Sequence, residues 1–423
     1  MHTGVLTFDL SGNLFRRTLT DQPLMNLELT IEKLVYGGEG LSRMDGEIIL
    51  TPLVIPGEII DAATAGARQK VRRARLVTVK QPSPERVTPI CPVFGRCGGC
   101  HYQHISYAAQ LDYRREILAE TLRRVGQITF EASRITAVPS EPFSYRNRAQ
   151  FHFEDRRIGY RALHSKSLVA IDECPISSPK INEIIRTLNR MVRDPRWPNF
   201  LESLEVFTDE TTVQWNVLET ERPVAVRFFE WLAAEIPGTV TGPLNYSVGS
   251  DRFRVSGNSF FQINRGLLPQ LQSLVLGDAR GAEAWDLYAG VGLFSLDLAR
   301  RFEAVTAVES GRSAVDDLSE NAHRARLKIK SVSQPVEDFL ASATGSPDLI
   351  LADPPRAGLG SRAVASLLAV KPSTIILVAC DPATLARDLK GLLAGYDIDK
   401  ITLVDLFPQT FHIETVVRLV RRT

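Results

Sequence analysis

The chain has 423 residues and a mass of 47.0 kDa, with 50 Lys and Arg against 49 Asp and Glu. A composition of 44% hydrophobic and 23% charged residues excludes collagen-like and wholly disordered chains, and the length predicts roughly two to four domains. A formal net charge of +1 does not point to a nucleic-acid partner, so such a partner has to be argued from local clusters.

In chain order, Met1–Thr20 has Asp9 where a signal peptide would have its apolar centre. The densest apolar run, Ile375–Cys380, is far shorter than the ~18 residues of a membrane helix. A cytoplasmic protein with no membrane association is expected. Residues 1–25 carry little pattern and are expected to be a variable extension.

From Leu27 the text turns strand-like: Leu27, Leu29 and Ile31 alternate with polar residues, then Gly- and Pro-rich turns separate short apolar runs. This predicts a small β-barrel over 26–83. Its last strand is expected to carry Arg68, Lys70, Arg72, Arg73, Arg75 and Lys80. Such a row suits an RNA backbone and a solvated edge strand equally well. Residues 81–89, with three prolines, read as a linker.

The region 90–256 is predicted to be a mixed α+β central domain, opening with a helix over Tyr107–Val125. Tyr145-Arg146-Asn147-Arg148, followed by Phe151 and Phe153, fits RNA stacking or, more simply, an amphipathic strand. From 257 to 423 strands and helices alternate. Strands are predicted at 284–288, 304–309, 348–352, 374–379, 401–406 and 414–420, with helices at 293–301, 311–326, 361–370 and 382–394. The fold class is therefore α/β, a doubly wound Rossmann-like sheet preceded by the barrel and the central domain. Ligands in such sheets sit at the carboxyl ends of the strands.

Asp286-Leu287-Tyr288-Ala289-Gly290-Val291-Gly292 ends a strand with two glycines, and Glu309 ends the next strand, placed to bind ribose hydroxyls. No third glycine follows as in a dinucleotide fingerprint, so an adenosine ligand without pyrophosphate, S-adenosylmethionine, fits better. Asp353-Pro354-Pro355 fixes a carboxylate at a strand exit. Cys380 ends an apolar strand before Asp381-Pro382, a helix cap and first turn, where the helix dipole should favour the thiolate. Glu414 opens the last strand as a candidate base, with His412 as partner or bystander.

Five cysteines in a long chain argue against a disulfide framework. Cys91, Cys97 and Cys100 cluster, Cys174 follows much later, and Cys380 stands apart. Four thiolates suit a zinc ion or a [4Fe–4S] cluster, and spacing does not decide between them.

Together these residues resemble the RNA (uracil-5-)-methyltransferases over roughly 26–423, and in particular the ribosomal-RNA branch with an N-terminal TRAM barrel and an iron–sulfur cluster. The family's cluster pattern matches Cys91, Cys97, Cys100 and Cys174, which favours [4Fe–4S] over zinc. Its Phe-Phe-Gln motif stands as Phe260-Phe261-Gln262. The resemblance implies that Gln262, Tyr288, Glu309 and Asp353 contact S-adenosylmethionine, that Cys380 is the nucleophile and that Glu414 is the base. A 23S rRNA uridine is the implied substrate, with tRNA as the alternative and a non-catalytic RNA-binding protein as the rival; a monomer is expected. Two positions depart from the pattern. Asp381 stands where Asn is usual, placing a negative charge that should raise the thiol pKa unless a cation compensates, and Gln409 stands where His is common.

Overall fold

The computed structural model describes residues 25–64 and 70–422. The extension before Met25 and Arg68 of the basic row lie outside the described residues. The chain forms two compact units. The first holds the described residues up to Gln110 together with Gly159–Ile171 and Gln409–Phe411; the second holds Leu111–Ile158, Asp172–Pro408 and the residues from His412.

The first unit opens with β1 (Met25–Thr30), β2 (Lys33–Val35), β3 (Glu39–Met44), β4 (Glu47–Pro52), β5 (Ile59–Thr64), β6 (Val71–Arg73) and β7 (Arg75–Gln81). They make two small sheets, ordered β1-β5-β7 and β2-β3-β4-β6. The period-2 alternation puts Leu27 and Leu29 inward, where with Ile31, Ile49, Val54, Ile60, Ala62 and Ala74 they build a shared core. Asp45 and Gly46, both at positive φ, turn β3 into β4 as a hairpin of this twist requires.

The basic row differs from expectation. It breaks at Ala74, whose N–H donates to Leu50, so β6 and β7 fall in different sheets. Its charges are largely answered locally: Arg72 pairs with Glu47, Arg73 with Glu39, and Lys80 with Glu28 and Asp61. The row is an internal ion-pair set more than a bare phosphate track.

The second unit begins with α1 (Tyr107–Thr121), most of which it contains, and continues with β8 (Thr136–Val138) and β9 (Arg148–Glu154). The hairpin of β10 (Arg157–Arg161) and β11 (Leu168–Ala170) pairs within the first unit, Gly159 opposite Ala170. Next come α2 (Pro179–Met191), β12 (Leu201–Thr208), β13 (Val213–Thr220), α3 (Val226–Glu235), β14 (Thr239–Val240), β15 (Leu244–Val248) and β16 (Asp251–Val255). Tyr145-Arg146-Asn147-Arg148 resolves in favour of the strand. Tyr145 is buried with its hydroxyl donating to the Pro408 carbonyl, and Arg148 pairs with Glu205.

The remainder is α4 (Leu268–Leu276), β17 (Gly281–Leu287), α5 (Ser295–Ala299), β18 (Phe302–Glu309), α6 (Arg312–Arg324), β19 (Lys330–Ser333), α7 (Val336–Ser342), β20 (Leu349–Ala352), α8 (Gly360–Val370), β21 (Thr374–Ala379), α9 (Pro382–Leu392), β22 (Tyr396–Val404) and β23 (Glu414–Arg421). They form an eight-stranded sheet in the order β19-β18-β17-β20-β21-β23-β22-β8. β17 to β21 pair in parallel, whereas β23 runs antiparallel to both β21 and β22. The edge strand β8 comes from before residue 257, so the sheet draws on sequence outside the predicted C-terminal domain. Because β23 is reversed, its start lies at the same sheet edge as the carboxyl end of β21, where Ala379 faces Thr415.

Candidate active site

The carboxyl ends of β17, β18, β20 and β21 and the start of β23 meet at one edge of this sheet, the edge at which doubly wound folds hold ligands. After β17 the chain turns sharply: Tyr288, Gly290 and Gly292 all have positive φ. Glycine adopts that region freely, whereas Tyr288 is held there at a cost of order 1 kcal/mol or more. Gly290 and Gly311 donate their N–H groups to the two oxygens of Glu309, which fixes the carboxylate and leaves lone pairs for ribose hydroxyls. The Tyr288 hydroxyl donates to Glu337, at 3.5 Å. Gln262 is buried next to the core residue Phe261, while its neighbour Phe260 is 66% exposed and presents a free aromatic face.

Three carboxylates crowd beneath the nucleophile candidate. Asp286 is buried at the end of β17 and accepts from the Ser295 hydroxyl; burial pushes its pKa up to about 7, against that hydrogen bond and helped by Glu309. Asp353 is likewise pushed up to about 7, by burial and by Asp286. Glu414 is raised well above the usual carboxylate range by burial and by Asp353, with Arg356 opposing. Each carboxylate of the set disfavours the ionised form of its neighbour, which adds to the effect of burial.

The Cys380 thiol is pushed up to about 11, by burial first and then by Glu414, with Arg356 lowering it and Asp353 adding to the rise. This reverses the expectation of an acidic thiol at a helix start. The helix dipole acts on a group that burial and two carboxylates hold neutral. Asp381 is not among the groups that raise it. Its carboxylate turns away to cap α9, Oδ1 accepting from the N–H groups of Ala383 and Thr384, each at 2.9 Å. Asp381→Asn should therefore keep the cap and leave the pH dependence of turnover within about half a unit. Asp381→Ala should cost about 1 kcal/mol of stability. Paired pH–rate profiles and thermal unfolding check both; a shift above one unit in the Asn variant contradicts the assignment.

Gln409 is buried, and its hydrogen bonds lie within the first unit. Its side-chain oxygen accepts from the Gln110 amide, its N–H donates back to Gln110, and its carbonyl accepts from His101 and Tyr102. The ring of His412 packs against Phe407, with centroids 5.6 Å apart. Sequence reasoning assigns no role to Arg356 or to Asp286. The Pro-Pro-Arg run after a β-strand was the available signal for Arg356, since two prolines direct the next side chain along a fixed path.

All five cysteines are half-buried thiols, none of them in a disulfide. Cys91, Cys97 and Cys100 lie in a loop of tight turns in the first unit, and the Gly99 N–H donates to the Cys97 sulfur at 3.4 Å. A side chain at Gly98 would come within 3.2 Å of the Arg161 carbonyl, a tight approach that the neighbouring backbone would have to yield to. In the second unit the Cys174 backbone is locked by Asn182, which accepts from its N–H and donates to its carbonyl. Among the described residues no three Cys, His, Asp or Glu side chains converge as a formed metal centre. Sulfur donors suit a sulfur-ligated group all the same, and the Cys97 sulfur receives an N–H···S bond of the kind found around cluster thiolates.

Residues 244–422 match the family described as tRNA (uracil-5-)-methyltransferase. An RNA methyltransferase of Aquifex aeolicus of otherwise undefined role is 33% identical over 95% of this chain and 99% of its own length. The 23S rRNA (uracil(1939)-C(5))-methyltransferase RlmD of Halomonas elongata is 31% identical over 93% of this chain and 89% of its own. The crystal structure of the Pyrococcus abyssi tRNA (uracil-54, C5)-methyltransferase in complex with S-adenosyl-L-homocysteine superposes with a TM-score of 0.75 at 26% identity, covering 93% of this chain and all of that one.

Proposed function

The chain belongs to the RNA uracil-C5 methyltransferase family, and on that premise we propose that it methylates C5 of a uridine in 23S rRNA through a covalent adduct at Cys380. The observation that carries this reading is the placement of Cys380, Asp353 and Glu414 at one sheet edge, with β21 and β23 in register there.

C5 of uracil is too weak a nucleophile to take a methyl group unaided. Addition of the Cys380 sulfur to C6 forms an S–C6 bond and moves the C5=C6 electron pair toward C5 and O4, giving an enolate. S-adenosylmethionine, when bound, supplies the methyl group on a cationic sulfonium, whose charge also favours the ionised forms of Cys380 and the carboxylates around it. The C5 electron pair would form the C5–CH3 bond as the methyl–sulfonium bond breaks and a neutral thioether departs, and the Glu414 carboxylate then takes the proton that remains on C5. The released pair re-forms C5=C6 and expels the Cys380 thiolate. Burial and the neighbouring carboxylates favour the protonated thiol, so its proton has to pass to one of those carboxylates as the sulfur adds to C6. Gln262, Tyr288, Glu309 and Asp353 are assigned to the cofactor, and the target base has to leave its stack to reach Cys380.

The sheets of 26–83 are assigned as a TRAM barrel and the segment 90–256 as the central RNA-binding part, followed by the methyltransferase domain to residue 423. Cys91, Cys97, Cys100 and Cys174 are assigned as ligands of a [4Fe–4S] cluster with a structural role. Protein purified without oxygen should contain about four irons per chain, with acid-labile sulfide and broad visible absorbance. Cys97→Ser should lose most of both; one zinc per chain and no sulfide would replace the cluster with a tetrathiolate zinc site.

Substrate choice is tested by incubating the protein with S-adenosylmethionine and unmodified 23S rRNA or tRNA transcripts, followed by nucleoside mass spectrometry. The proposal expects 5-methyluridine from the ribosomal transcript. 5-Methyluridine from tRNA alone would keep the chemistry and overturn the substrate. No methylated base from either would move the non-catalytic RNA-binding reading ahead.

A further inference from the structure

A second charged surface, on α2, has no part in the chemistry above. Ile181, Ile184, Ile185, Leu188 and Met191 turn one face of this helix into the core. Its outward side carries Arg186 and Arg190, and Arg193 follows two residues past its end; all three are exposed. A fourth exposed arginine joins them from a separate element. Asp155 and Arg156 turn the chain after β9 with both residues at positive φ, and the Arg156 guanidinium donates to the Arg193 carbonyl at 3.0 Å.

Acids in the same stretches are engaged elsewhere: Glu183 with Lys180, Asp194 with Arg196, and Asp155 with Arg157. Among the described residues no carboxylate forms an ion pair with Arg156, Arg186, Arg190 or Arg193. The helix dipole gives Arg190 and Arg193 a local reason to stand at the end of α2. It gives none for Arg186, a turn earlier, or for Arg156 on another loop. Gathering four like charges costs self-repulsion that an anionic partner relieves more fully than solvent and salt do. From Arg186 to Arg193 the side chains span about 10 Å along the helix, a reach that suits neighbouring phosphates on one strand. Guanidinium forks bind phosphate oxygens two at a time.

We infer that Arg156, Arg186, Arg190 and Arg193 form a phosphate-binding surface for the sugar–phosphate backbone of the substrate RNA, away from the target nucleotide. The inference rests on RNA being the substrate. It implies that the enzyme grips its RNA at a site separate from the flipped base, so affinity for a structured RNA exceeds what the catalytic pocket provides.

The test compares wild type with the triple variants Arg186→Glu/Arg190→Glu/Arg193→Glu and Arg186→Lys/Arg190→Lys/Arg193→Lys, reading 23S rRNA-fragment binding by fluorescence anisotropy over a salt series. The Glu variant should bind at least about tenfold more weakly near 0.15 M salt, with a log K against log[salt] slope flatter by about two. The Lys variant should keep most of the slope. Unchanged affinity and slope in the Glu variant would overturn the inference. So would a salt-independent loss shared by both variants together with lowered thermal stability, which reports damage to α2. Because binding is read without turnover, steep wild-type binding with no methylated uracil would leave this surface standing while the reaction assignment fails.

Discussion

Cys380→Ala should lower kcat by at least about 10⁴-fold, the scale seen when a covalent nucleophile is deleted, with RNA and S-adenosylmethionine affinities held within a few-fold. The expectation follows from position. Cys380 directly follows β21, half-buried, beside Asp353 and Glu414 and in reach of the Arg356 charge. A methyl group in place of the thiol leaves the strand, the Asp381 cap and the carboxylates intact. Cys380→Ser should be as inactive, because a hydroxyl ionises even less readily at a site that already resists forming the thiolate. Turnover by the Ala variant within tenfold of wild type would remove covalent catalysis from the account.

Glu414→Gln should separate the two halves of the reaction. The amide keeps the size of the buried side chain but cannot accept the C5 proton, so methyl transfer goes forward and elimination stalls. Turnover should fall by about 10²–10⁴-fold, the usual worth of a positioned base, and a protein–RNA species stable to denaturation should build up. A second consequence carries a definite sign. Glu414 and Asp353 both raise the Cys380 pKa, so removing one carboxylate lowers it, and the pH midpoint for alkylation of Cys380 should move down. A midpoint that moves up, or an adduct no more abundant than in wild type, would show that Glu414 is not the base.

Much of this site was legible because its chemistry sits where strands end. The apolar run before Cys380, the two glycines after Asp286 and the Pro-Pro exit after Asp353 each mark a strand edge in one dimension, and the parallel sheet gathers those edges in three. What escaped was short or depended on partners. β19 is short and polar and β8 is only three residues long, so neither shows a period, although β8 closes the edge of the catalytic sheet. The basic row over 70–80 looked continuous because sequence does not show which acids lie across a sheet; Glu47, Glu39, Glu28 and Asp61 do. Arg114 and Asp405, both fully buried and 2.7 Å apart, anchor α1 to the loop ahead of Glu414. Composition reads such residues as surface, since charges are rarely buried except in pairs. The thiol pKa was misread for the same reason: the helix start is local and visible, whereas Glu414 is more than thirty residues away.

The central claim, a covalent bond between Cys380 and C6 of uracil, is met most directly with RNA whose uridines carry fluorine at C5, because there is then no C5 proton for Glu414 to remove. Wild-type protein is incubated with S-adenosylmethionine and this RNA, separated under denaturing conditions and mapped by peptide mass spectrometry. The account predicts a protein–RNA species that requires S-adenosylmethionine, is absent in Cys380→Ala and carries the modified nucleotide on the peptide containing Cys380. Efficient 5-methyluridine formation on ordinary RNA with no trapped species on the fluorinated one, or a trapped nucleotide on any other residue, would contradict it.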